Sequence, residues 1–309
     1  SWYNETLGTA TRGTRKEFPA VAVIVAETTK VTIYDGDDPD LPMWMVFNRS
    51  ASSGWTPNNT NILGVSYFTF TSISMLNGIF AMGADYDSDN TNGVLIKVSF
   101  IEDTGYFHGV NSVSSSYPAG GFGRYRGSIA ERDSGNGHIN INDTDKIANV
   151  HVNDVAMTVL PNAPIDDTTG LPVPTIAIAT DGGVSVIKDD GTVVDPGDGS
   201  SVRKVAFKNT TTLLSSIANN TIRAFDNAGS FTDSSSQNRN YYSDSSSSSV
   251  PAFGGVTLGE PLVGSNGDDI FGVTNKNGST SNTALTVLNE SGTTQSSNMV
   301  AYIAPDYNT

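Results

Sequence analysis

The residues best spaced for chemistry are the carboxylates of Asp85-Tyr86-Asp87-Ser88-Asp89-Asn90-Thr91-Asn92-Gly93. Alternate acidic side chains in a tight turn can converge on one hard cation through oxygen ligands. An EF-hand loop needs Gly at its sixth position and Glu at its twelfth. Asn90 and Ile96 stand there instead, so that loop type is excluded. A non-EF calcium turn on Asp85, Asp87 and Asp89 is one expectation. The plainer one is a solvated acidic hairpin tip. Asp35-Gly36-Asp37-Asp38-Pro39-Asp40 is a second acidic turn with weaker spacing.

Aromatic rings on exposed loops stack on sugar faces, so a glycan platform is the second chemistry to consider. Trp55, Tyr125, Tyr241 and Tyr242 are the candidate ligand-binding residues. Trp44 lies in the apolar run Leu41–Phe47 and reads as core.

No catalytic set stands out. His108, His138 and His151 have no metal-ligand spacing, and they read as isolated strand or turn residues. Neither a GxSxG elbow nor a P-loop is present. A glycosidase needs two carboxylates facing each other across a cleft, and sequence alone cannot pick a pair from 32 acidic residues. The repeated Ser-x-Asp-x-Gly-x-x-Trp turn of sialidases is absent. The expectation is therefore no catalytic residue and no enzyme activity.

What must position these residues is a repeat. Six times an apolar strand, a polar turn and a second apolar strand run into an Asp/Asn-rich turn. The clearest copy is Thr175–Asp195; the others are Ala20–Gly36, Gly78–Gly105, Ser128–Asp145, Thr212–Gly229 and Asp269–Gly292. Successive copies close 38 to 69 residues apart, around the ~40–50 expected of a propeller blade. Further strands are expected before the hairpins, at Ser72–Leu76, Asp154–Leu160, Val202–Lys208 and Glu260–Val263. Others are expected after them, at Met43–Phe47, Thr192–Asp195 and Met299–Ala304. Four antiparallel strands per unit, stacked so that neighbours cover each other's apolar faces, make a β-propeller. The fold class is all-β: one domain over residues 1–309, with about six four-stranded blades, or seven if the long first gap hides another. The first copy lacks a strand before it, and a terminal segment is expected to complete its sheet.

Composition fits. Hydrophobic residues make up 37% and charged residues 16%; Ser, Thr, Asn and Gly fill much of the rest, as in extracellular or virion β-proteins. A net charge of −15 argues against binding to nucleic acid or anionic membranes. No apolar run approaches the ~20 residues of a membrane helix, and none reads as a signal peptide. Cysteine is absent, which excludes disulfides and leans toward a bacterial or viral origin. The clusters Arg12/Arg15/Lys16 and Arg124/Arg126/Arg132 read as solvated turn charge. The chain starts at Ser1 without a Met and reads as a piece of something longer.

Several stretches carry a resemblance: VPTIAIATDGGVSVIKDDGTVVD (Val173–Asp195) with NDVAMTVLPNAPIDDTTGLP before it, the early KEFPAVAVIVAETTKVTIYDGDDPDLPMWMVF, and the final MVAYIAPDYNT. They are similar to structural proteins of marine bacteriophages. In that group the repeat region often precedes a laminin-G or concanavalin-like lectin module, and none lies here. The resemblance covers most of the chain and loosens between Thr232 and Val256. It implies a virion-associated, extracellular, tail-fibre or tail-spike-like component. Its partners would be other virion proteins, a host surface glycan or a second copy of itself. It carries over no site residues. Two alternatives accompany this reading: a secreted or virion-borne glycan hydrolase on the same scaffold, and a bacterial surface propeller that binds protein.

Overall fold

The computed structural model describes every residue outside 51–59, 65–67, 87–92, 110–121, 143–144, 198, 218–220, 238, 243–257, 263–269, 278–281, 290–298 and 304–309. Side chains are described up to residue 237, apart from those of Tyr86, Asn140, Asn142 and Thr221. The architecture is all-β, with no α-helix among the described residues.

Five antiparallel sheets follow one another along the chain, and within each the strands pair in sequence order. The first holds β1 (Ala22–Glu27), β2 (Lys30–Asp35) and β3 (Met43–Asn48). The second holds β4 (Phe68–Leu76), β5 (Ile79–Tyr86), β6 (Gly93–Ser99), β7 (Thr104–His108), β8 (Phe122–Tyr125) and β9 (His138–Asn142). The third is β10 (Val152–Thr158), β11 (Thr175–Thr180), β12 (Gly183–Ile187) and β13 (Val193–Val194). The fourth is β14 (Val202–Phe207), β15 (Leu213–Ile217), β16 (Thr221–Phe225) and β17 (Arg239–Tyr242). The fifth is β18 (Leu258–Leu262), β19 (Ile270–Asn277), β20 (Asn282–Asn289) and β21 (Met299–Ile303).

Local chemistry explains the hairpins. Leu76 pairs with Ile79 across Asn77 and Gly78, whose φ angles are 47° and 74°. Two positive φ values are what a two-residue turn needs to match strand twist, and Asn-Gly supplies them. Period-two alternation then sorts each strand's side chains onto two faces. Phe80, Met82 and Ala84 of β5 join one core, with residues of the first sheet. Ile79 and Ala81 join another, with residues of the third sheet. In β11, Ile176 and Ile178 face the second sheet, while Ala177 and Ala179 face the fourth. Each of these sheets is thus sandwiched between its neighbours. Contact is close: a Cβ added at Gly83 would meet Val152 Cγ1 at 2.7 Å.

The first strands lie side by side in a row, β1 against β4, β4 against β10, β10 against β14 and β14 against β18. Three of them carry one extra residue at the matching place, Thr71, Asn153 and Arg203, and the register of β18 also breaks between Leu258 and Pro261. Such bulges re-aim a side chain. Thr71 Oγ1 donates to the carbonyl of Val152 at 2.6 Å, and Asn153 Nδ2 to that of Val202 at 2.8 Å. The bulge residue of one first strand therefore ties down the next.

Two differences from the sequence reading emerge. Ala20–Gly36 supplies the first and second strands of its sheet rather than a middle pair, and Thr11–Gly13 adds a short outer strand. The amide of Gly13 donates to Trp44 O and that of Val46 to Thr11 O, both at 2.9 Å. The third copy, Ser128–Asp145, builds no sheet of its own. It forms a short 3-10 turn and β9, the outermost strand of the second sheet. Six copies thus correspond to five described sheets.

Candidate functional site

Buried charge in this protein holds strands together. Arg12 is 1% exposed. Its guanidinium donates to the carbonyls of Arg15, Trp44 and Lys16 at 2.8–2.9 Å and stacks on the Trp44 ring. Arg132 is 3% exposed and reaches Val46 O at 2.6 Å, Thr11 O at 2.9 Å, Ile129 O at 3.0 Å and Glu5 Oε1 at 2.6 Å. Neither is the solvated turn charge that the sequence suggested. Both pin the N-terminal arm to the first sheet. Burial lowers the Arg12 pKa, with Glu5 opposing. Arg15 pairs with Asp35 and Asp37, and the Asp37 carboxyl sits below its ordinary range because the amides of Ala20 and Val21 donate to it, with Arg15 adding to the effect.

The histidines are structural too. His108 lies buried in β7 against the Phe122 ring, with Nδ1 3.1 Å from Asp145 O. His138 packs on Phe107, with Nδ1 2.7 Å from Thr60 Oγ1. Burial drives both pKa values down to about 3, so both are neutral at physiological pH.

The predicted ligand-binding residues separate. Tyr125 is 0% exposed; its hydroxyl donates to Glu131 O at 2.6 Å, and burial raises its pKa to about 12. A ring enclosed in that way cannot stack on a sugar, so Tyr125 leaves the candidate set. Tyr241 and Tyr242 lie on β17, paired with Ile222 and Thr221, and their side chains fall outside those described. Trp55 lies outside the described residues. Trp44 is core, as expected. Of the expected calcium ligands, Asp85 is the penultimate residue of β5, with its carboxylate 3.1 Å from His151 Nδ1. Asp87 and Asp89 lie outside the described residues. Among the described residues no group of three or more His, Cys, Asp or Glu could hold a metal ion.

Two polar features join neighbouring sheets. At the first, Asp154 of β10 accepts from Ser72 Oγ at 2.7 Å and from the amide of Val205 at 3.1 Å, with Lys204 Nζ at 3.7 Å. This seam stitches β4, β10 and β14 together just beyond their bulges. The second is an open cleft of about 370 Å³ between the third and fourth sheets. Its walls come from the turn after β10 (Leu160, Pro161, Asn162), Asp189 after β12, Thr211 before β15, and Asn227, Gly229 and Ser230 after β16. Sequence reasoning missed it because no single turn is distinctive; the cleft exists only where four of them meet. The one local signal was the recurrence of Asn or Asp just past the ends of β10, β12 and β16.

No protein-family model and no curated protein matches the chain. Among solved structures it is similar to one described as "Structure of U3-55K", with a TM-score of 0.42 and 9% identity over 87% of this chain and 73% of that one. It is also similar to the "Crystal structure of RRP9 WD40 repeats", with a TM-score of 0.43 and 9% identity over 91% of this chain and 77% of that one. Both scores are low, and the architecture rests on this chain's own strand pairing.

Proposed function

We propose that the chain is a β-propeller serving as a non-enzymatic scaffold and host-recognition head on a virion, as a tail-fibre or tail-spike-like component. The observation that carries the scaffold reading is the row of first strands, with the second and third sheets each covered on both faces. Sheets packed face to face with their first strands adjacent are what a radial array requires, and closing the ring leaves only short edges exposed. Arg12, Arg132, His108 and His138 support a structural role, because each is buried and directs a polar group to a backbone carbonyl or a buried side chain.

The virion assignment is supported by the resemblance of Val173–Asp195 and the flanking stretches to phage structural proteins. Binding rather than hydrolysis is supported by the cleft between the third and fourth sheets. It presents a single carboxylate, Asp189, where sugar hydrolysis needs two.

Cryo-electron microscopy of the purified chain should show a disc of radiating sheets. Mass spectrometry of purified phage particles should find its peptides, and a turnover assay on bound glycans should release no product. Stacked rungs or a two-layer sandwich would overturn the scaffold. Absence from particles would overturn the virion placement, and product release would overturn the non-enzymatic reading.

A further inference from the structure

The cleft between the third and fourth sheets is held open by turns that are already fixed. Ala163 N donates to Leu160 O at 3.1 Å, Gly191 N to Lys188 O at 3.0 Å, Ala228 N to Thr211 O at 2.9 Å and Ser230 N to Asn227 O at 2.8 Å. A ligand entering it has little loop ordering to offset. The side chains of Asn162, Asp189 and Asn227 form no hydrogen bond with any described residue, so their capacity is available to a guest.

The lining selects among ligand classes. Its charge is one carboxylate on a chain of net charge −15, which disfavours anions. A hard cation is held best by several carboxylates, and this lining has one. A wholly apolar guest would strip water from two side-chain amides and a carboxylate without replacing those hydrogen bonds, which is costly. A neutral polyhydroxyl compound meets every requirement. Each of its hydroxyls both donates and accepts, amides offer both functions in return, and the carboxylate accepts. Leu160 and Pro161 provide an apolar flank for its C–H face. The volume falls at the small end of the roughly 300–1,000 Å³ of ligand pockets, which suits one or two sugar rings.

We propose that this cleft binds the terminal unit of a neutral glycan, with Asp189 and Asn162 taking up its hydroxyls. The proposal rests on the recognition role given above and names its site.

The test is a neutral-glycan array on the full chain, then calorimetric titration of the best ligand against wild type, Asp189→Ala, Asn162→Ala and a distant control, Asp40→Ala. Asp189→Ala should weaken binding about tenfold or more, the loss of one charge-assisted hydrogen bond, while melting as wild type does. Asp40→Ala should bind normally. Unchanged affinity in both Asp189→Ala and Asn162→Ala would overturn the site and leave recognition standing. Wild type that adheres to host cells but binds no neutral glycan would overturn the sugar assignment alone. Wild type that does neither would overturn both.

Discussion

Ser72 and Asp154 meet at 2.7 Å across the junction of the second and third sheets, each one residue past the bulge of its strand. The same carboxylate receives the amide of Val205 from the fourth sheet. Three sheets therefore share one acceptor group. Asp154→Ala should cost about 2–3 kcal/mol, since hydrogen bonds to charged groups contribute roughly 1.5–3 kcal/mol each and the Val205 amide would lose its partner. A double-mutant cycle with Ser72→Ala, read by denaturant unfolding, should give a coupling of about 1 kcal/mol. A coupling near zero would show that the bond adds nothing.

Arg132 should be the most sensitive polar position among the described residues. Its guanidinium joins the N-terminal arm, β3 and the 3-10 turn at Ile129. Arg132→Ala leaves Glu5 and three carbonyls without that donor, and removing one side of a buried pair costs about 3–5 kcal/mol. Arg132→Lys should recover only part of this, because an ammonium lacks the planar fork. Limited proteolysis should then cut within residues 1–20 well before the rest of the chain. Equal protection of the arm in Arg132→Ala would contradict this assignment.

Acid should destabilise the protein well above the carboxylate range. His108 and His138 have folded pKa values of about 3 against 6.5 for a free imidazole. Above pH 6.5 both stay neutral, folded or unfolded, and their contribution is intact. As pH falls from 6.5 toward 3 the unfolded chain takes up protons that the folded chain refuses, so stability drops by up to about 1.4 kcal/mol per pH unit for each histidine. Calorimetry at pH 5 should detect an uptake of about two protons on unfolding from these residues, and about one in His108→Phe. An unchanged uptake in that variant would exclude His108 as a source.

Asp85 should report on its histidine partner rather than on calcium. Its carboxylate faces His151 at 3.1 Å. Asp85→Ala is expected to lose about 0.5–1 kcal/mol, the scale of one partly exposed hydrogen bond, equally with calcium and with chelator. A loss seen only with calcium present would instead place Asp85 among metal ligands with Asp87 and Asp89.

The repeat was legible in the sequence because alternation, β-branched residues and Asn/Asp-Gly turns are local signals. The strands expected at Ser72–Leu76, Asp154–Leu160 and Val202–Lys208 correspond to β4, β10 and β14. The phase of the first copy was not legible. Its tight turn between Glu27 and Lys30 looks the same whether it joins the outer or the inner pair of strands. The fate of Ser128–Asp145 was hidden as well, because a strand that extends an existing sheet has the same alternation as one that starts a new sheet. Burial of Arg12, Arg132 and Tyr125 depends on partners 30 or more residues away or on surrounding core, which composition cannot reveal.

The anchoring of the arm also sets an order of events in synthesis. Trp2 Nε1 donates to Phe100 O, 98 positions on, and Glu5 waits for Arg132, 127 positions on. A nascent chain must therefore leave the ribosome through Arg132 before Trp2 and Glu5 both find their places. Such long-range closure is slow, and until it happens Trp44 stays partly uncovered in the unfinished protein.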